Sequence, residues 1–227
     1  MREKIEMYIG ILSYRGIGNG RQKGTGCIFH YKERWILATA AHCVYNIDED
    51  TFYTDFKFTQ PSSNKEYILG DVFLHKFWPS LYAPEYDIAF FNINCADSFS
   101  NLDRMYLTPC FAPLVDKKFM IVGFPGKIIF RNKLYIKKDN NGISDSLYSS
   151  NLIGIRTNKK EGMSGGPLIC QNKDGLNIVG TISLSFVSEK GILWCAPWNK
   201  DFEIILDFLT GDKKVEPEFM VIHSWKS

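Results

Sequence analysis

A chain of 227 residues has room for one large domain or for two of about 110 residues each. Hydrophobic residues make up 45% and charged residues 23%, with 17 Phe, 11 Tyr and 5 Trp, which supplies a core and excludes global disorder. The 27 Lys plus Arg nearly cancel the 25 Asp plus Glu, so the net charge of +2 gives neither nucleic acid nor an anionic membrane an electrostatic reason to bind.

In chain order, Met1-Arg-Glu-Lys-Ile-Glu6 carries charges where a secretory leader needs about 7–15 uninterrupted apolar residues. Two localisations stay open: secreted or periplasmic if a leader has been removed, cytoplasmic otherwise. Short stretches rich in β-branched and aromatic residues then recur at 7–13, 26–31, 34–39, 67–74, 87–93, 118–124, 127–136, 152–157, 166–170, 176–186 and 191–197. Turn formers separate them, such as Arg15-Gly-Ile-Gly-Asn-Gly20, Pro61-Ser-Ser-Asn64 and Asp139-Asn-Asn-Gly142. This spacing predicts an all-β fold, sandwich or barrel. Thr108-Pro-Cys-Phe-Ala-Pro113 divides the strands into two sets, giving units at 1–107 and 119–198 with a linker at 108–118. Phe202, Ile205 and Leu209 fall at i, i+3, i+7, with Asn199 to cap and Gly211 to stop, which predicts an amphipathic helix over 199–210. Residues 211–227 form a tail, either a further strand or a surface arm. No apolar run reaches the roughly 18 residues of a membrane span. Six Cys without a C-x-x-C pair, and no His-x-x-x-His, offer no metal-ligand spacing, so neither metal nor other cofactor is expected.

Two segments place a potential catalytic group among small residues: Leu37-Ala-Thr-Ala-Ala-His42-Cys43 and Glu161-Gly-Met-Ser164-Gly-Gly-Pro167. A serine hydroxyl is a weak nucleophile until a base takes its proton, and histidine suits that role near neutrality. Glycines beside Ser164 permit turns in which backbone N–H groups converge, so the Gly162 and Ser164 amides are candidates for binding an oxyanion. His30, His75 and His223 lack such context and read as structural or surface histidines.

On Thr39-Ala-Ala-His-Cys43, Asp87-Ile-Ala-Phe90 and Gly162-Met-Ser-Gly-Gly-Pro167, in that order, the chain resembles the trypsin-like (chymotrypsin-fold) serine peptidases over about residues 7–210. The three motifs together are specific where Gly-x-Ser-Gly-Gly alone is not. The resemblance implies two six-stranded antiparallel β-barrels with the active site between them, plus the C-terminal helix. It implies a serine endopeptidase acting on polypeptides, with His42, Asp87 and Ser164 as the triad and an acyl-enzyme intermediate. Ser183 is then expected beside Asp87, and the 183–185 backbone, Ser183-Leu184-Ser185, is expected to pair with extended substrate. Cys27 and Cys43 match positions that many family members join by a disulfide, whose oxidation depends on compartment. Cys170 matches a further family cysteine, but Phe119 stands near the position of its usual disulfide partner, so a buried thiol is expected.

The chain departs from the digestive and clotting members. Met163 replaces the Asp before the nucleophile, and the Ile/Val-Val-Gly-Gly start is missing, so the zymogen switch is expected to be absent. In this the chain is similar to the glutamyl-endopeptidase and HtrA-like branches. Two ways of ordering the oxyanion loop follow: packing of Met163, or binding of substrate or an activating partner. For substrate binding, Asn158 falls at the expected pocket floor in place of a trypsin's Asp. Lys159 and Glu161 flank the nucleophile loop, Ser185 narrows a wall and Gly191 leaves depth. A polar, small or acidic residue before the scissile bond is expected. The rival readings are a catalytically silent or partner-activated binding module and an esterase using the same triad. Oligomeric state is not readable from the sequence.

Overall fold

The computed structural model describes residues 1–16, 18, 20–93, 99, 101–112, 118–126, 133–139, 141–147, 149–158, 161–172, 175–186 and 188–225. A short helix α1 (Arg2–Glu6) leads into β1 (Ile9–Arg15), where Leu12 and Tyr14 are buried while Ser13 is half-exposed. β1 pairs antiparallel with β2 (Arg21–Tyr31), and β2 with β3 (Arg34–Thr39). A small hairpin of β4 (Tyr45–Asn46) and β5 (Thr51–Phe52) precedes β6 (Thr54–Gln60), β7 (Lys65–Tyr67), β8 (Leu69–His75), helix α2 (Phe77–Leu81) and β9 (Ala89–Ile93). The ring of Phe58 from β6 is fully buried over Gly10 and Gly26, which face each other across β1 and β2. A Cβ at Gly10 would lie 2.5 Å from that ring, so the glycines are the space Phe58 fills.

The second half comprises β10 (Leu107–Pro109), β11 (Phe119–Gly123), β12 (Tyr135–Asp139), β13 (Ile143–Ser144), β14 (Ile153–Arg156), β15 (Pro167–Asn172), β16 (Gly175–Ile182) and β17 (Ile192–Pro197). Helix α3 (Lys200–Leu209) and β18 (Met220–His223) follow. The sheets run β18-β8-β9-β3-β2-β1-β6-β7 and β12-β11-β15-β16-β17-β14-β13, with β10 lying parallel on β16. The fold is thus mostly β, two curled antiparallel half-barrel sheets and a small C-terminal helix, as expected for the chymotrypsin fold.

The strand count exceeds six per half. One reason is the tail: β18 adds to the outer edge of β8, pairing Met220 with His75 and His223 with Val72. Trp225 beyond it donates its indole N–H to the Tyr53 carbonyl at 3.1 Å and packs on Phe56 and Phe91. The helix forms as its pattern predicts. Asn199 Oδ1 accepts from Asp201 N at 3.0 Å, a cap worth about 1 kcal/mol, and Phe202, Ile205, Leu206 and Leu209 are buried. Of the expected strand at 127–136 only β12 is described, since 127–132 fall outside the described residues, as do Lys159, Cys95 and 113–117 of the expected linker. No helix among the described residues is long and apolar enough to cross a membrane.

Candidate active site

His42 sits on a 3-10 turn (Ala41–Cys43) just after β3, with Ala40 and Ala41 wholly buried behind it. Asp87 ends a second such turn (Pro84–Tyr86), just before β9. β3 and β9 are paired, Thr39 opposite Ala89, and that register sets the two turns side by side. Asp87 Oδ1 accepts from His42 N at 2.8 Å, and Oδ2 lies 2.7 Å from His42 Nδ1. Ser183 Oγ donates to the same Oδ2. A carboxylate with no solvent exposure is therefore held by three donors, as a buried charge requires. Burial pushes the His42 pKa down, while the Asp87 carboxylate and neighbouring Cys43 push it up, and together they hold the imidazole well above its usual range. With Nδ1 committed to Asp87, Nε2 is the nitrogen left to face a reactant.

Ser164 projects from a loop pinned on every side. Thr25 N donates to Ser164 O at 2.7 Å, Gly165 N to Ile182 O at 2.8 Å, and Ile182 N to Gly166 O at 2.7 Å. Met163 is fully buried in a cluster with Ile121, Ile155, Leu168, Val179 and Leu193. The Glu161–Gly162 peptide is oriented too. Gly126 N donates to Glu161 O at 2.8 Å, and the N–H of a trans peptide points opposite its C=O, so Gly162 N–H is turned away from Gly126. Gly162 O accepts from Thr25 Oγ1 at 2.7 Å, and that oxygen accepts in turn from Phe124 N at 3.0 Å. Gly162 has φ +78, and a Cβ there would lie 2.6 Å from Phe124 O. Among the described residues, the Gly162 and Ser164 N–H groups donate to no protein acceptor.

His42, Asp87, Ser164 and Ser183 line one cavity of about 340 Å³, along with Glu161, Leu184 and Ser185. Ser164 Oγ donates to the Ser183 carbonyl at 3.3 Å, and among the described residues no hydrogen bond joins it to His42. Two expected binding residues are not among those lining the cavity: Asn158, which is exposed, and Gly191, which has φ +82 and whose carbonyl accepts from Thr157 N at 2.8 Å. Trp78 and Leu193 line the cavity in their stead. Neither they nor Thr25 carries a sequence signal; each is recruited by strand pairing and helix placement.

The expected Cys27–Cys43 disulfide is absent, both residues being free and buried. The residue facing Cys43 is Gly24, whose Cβ, if present, would lie 2.8 Å from the Cys43 sulfur. Positions 24 and 27 differ by an odd number along β2, so their side chains point to opposite faces of the sheet.

A family model described as Trypsin matches residues 9–193. Solved structures agree. The protease Anisep from Arthrobacter nicotinovorans is 18% identical with a TM-score of 0.75, covering 90% of this chain and 95% of its own. The thermostable serine protease AL20 from an extremophilic microorganism is 17% identical at a TM-score of 0.76, covering 91% and 98%. A Glu endopeptidase is 17% identical at 0.69, covering 88% and 90%. No curated protein sequence matches the chain. The chain belongs to the trypsin family. Its trypsin-like serine protease fold supports a peptidase function and implies a polypeptide substrate.

Proposed function

We propose that this protein is a serine endopeptidase that needs no zymogen cleavage, with Ser164 as nucleophile, His42 as general base and acid, and Asp87 as the group that orients His42. The observation that carries the reading is the 2.7 Å contact from Asp87 to His42 Nδ1 in the cavity that also holds Ser164. Ser164 Oγ bonds to the scissile carbonyl carbon while its proton passes to His42 Nε2. The oxyanion receives hydrogen bonds from the Gly162 and Ser164 amides. His42 then protonates the departing amine as the C–N bond breaks, and water repeats the sequence on the acyl-enzyme. The reaction needs His42 neutral, so its rate rises with pH through the imidazole pKa.

Burial of Met163 and the hydrogen bonds on Glu161 O and Gly162 O favour a loop ordered without a partner. They weigh against the partner-activated and silent readings. Glu161 at the cavity edge disfavours an acidic substrate residue and leaves a small or polar one beside Ser185 and Leu193. The test is intact mass with peptide mapping after exposure to a fluorophosphonate. One adduct on Ser164, lost in Ser164→Ala and His42→Ala, is expected; a folded protein that takes no adduct overturns the proposal. Comparing kcat/KM on matched ester and amide substrates separates peptidase from esterase.

A further inference from the structure

Helix α2 divides three concavities. Trp78 lines the catalytic cavity, Pro79 a second of about 570 Å³, and Phe77 and Leu81 a third of about 730 Å³, larger than either. The mechanism uses nothing in the third. Besides Phe77 and Leu81, its apolar lining includes Tyr86, Phe111, Leu152 and Trp198. Leu81 at its rim is 63% exposed. Among the described residues Glu85 is its single carboxylate, no Lys or Arg lines it, and Glu85 has no salt-bridge partner. Polar groups, among them those of Glu85, Ser144, Ser150, Asn151 and Asn199, supply nearly half of the lining, and a concavity of this size with aromatic walls and a few polar groups has the form that binding sites take.

Its position names the occupant. α2 gives Trp78 to the catalytic cavity and Phe77 and Leu81 to the groove, so the two flank one helix, whose diameter of about 10 Å is crossed by about three residues of extended chain. Ser183, in the segment expected to pair with extended substrate, donates to Asp87, and Asp87 follows directly on the turn whose Glu85 and Tyr86 line the groove. The groove therefore lies beyond the end of that segment, in line with the substrate it would pair with. We propose that it is a second docking site for the polypeptide substrate itself, taking an apolar segment with a basic residue that begins about six residues N-terminal to the scissile bond. This rests on the peptidase reading and extends it: the cavity at Ser164 selects the bond, and the groove selects which chains are held there.

The test compares a four-residue peptidyl coumarin amide with the same peptide extended at its N-terminus by Arg-Leu-Phe-Arg-Gly-Gly or by Glu-Ser-Ser-Glu-Gly-Gly. The apolar basic extension is expected to raise kcat/KM about tenfold, through KM, as burial of one large apolar side chain would. Leu81→Asp should remove that gain and leave the four-residue substrate unchanged; Glu85→Gln should reduce it about two- to fivefold. Equal rates for the two extensions, or a gain that survives Leu81→Asp, overturn the proposal. If no peptide is hydrolysed, the peptidase reading fails, and anisotropy of fluorescein-labelled Arg-Leu-Phe-Arg-Gly-Gly still reads the groove. Saturable binding to Ser164→Ala that is lost on adding Leu81→Asp supports it, and absence of binding refutes it.

Discussion

Thr25→Val tests whether the oxyanion loop is set by tertiary hydrogen bonds. Valine matches the shape of threonine but offers no oxygen, so the Phe124 N–H and the Gly162 carbonyl both lose their partner at a fully buried position. Each orphaned buried group costs about 1–3 kcal/mol, or about 2–6 kcal/mol for the pair. For a chain of this size that lowers the thermal midpoint by about 4–24 °C. The functional effect is separate. With Gly162 O released, the peptide joining Gly162 to Met163 is free to rotate; the Gly162 N–H sits on the preceding peptide and is disturbed through the shared Cα, and misaligning that oxyanion donor lowers kcat by up to about 10²–10³ with little change in KM. Thr25→Ser, which keeps the oxygen and drops a methyl, should recover most of kcat while remaining about 1 kcal/mol less stable. Calorimetry and fluorophosphonate labelling rates read the two effects. A Thr25→Val protein that melts lower yet labels at the wild-type rate would refute the link between Thr25 and the Gly162 amide.

Two further outcomes follow. A Gly24→Cys variant places its Cβ 2.8 Å from the Cys43 sulfur, close to the roughly 3 Å that an S–S bond of about 2.05 Å implies, so mild oxidation should join 24 to 43 and stabilise the fold by about 3 kcal/mol. Non-reducing peptide mapping checks this, and a dominant Cys27–Cys43 link would show the side-chain facing on β2 to be wrong. His75 is 1% exposed, stacked between Tyr86 and Phe219, and its Nδ1 accepts from Phe77 N at 3.1 Å. Burial lowers its pKa to about 4, opposed by Asp201 3.7 Å away and aided by Lys76. Between pH 6.5 and about 4 the unfolded chain holds a proton that the folded chain refuses, so stability is lost as the pH is lowered across that window, by about 3 kcal/mol in all. His75→Gln, which cannot titrate, should show a flatter dependence of thermal midpoint on pH; identical slopes would sink the assignment.

The cluster proposed as catalytic was legible because each member lies in a local motif. Small residues before His42, Ile-Ala after Asp87 and glycines around Ser164 are requirements of backbone geometry, and such requirements are written in consecutive residues. Asn199, Phe202, Ile205, Leu209 and Gly211 announced α3 in the same way. β6 escaped notice although Phe56, Phe58 and Gln60 alternate with polar residues, since a half-exposed strand's pattern is short and weak.

What the sequence alone determined was the all-β class, the closing helix and the identity of the three residues that meet at Asp87's carboxylate and Ser164's cavity. Only the tertiary structure decided that Thr25 holds Gly162, that Trp78 and Leu193 line the cavity while Asn158 and Gly191 do not, that Gly24 faces Cys43, and that the C-terminal arm completes a sheet. The reason is physical. Each of these facts depends on the register of strands far apart in the chain, where a shift of one residue turns every side chain to the other face, and nothing within a single segment specifies that register.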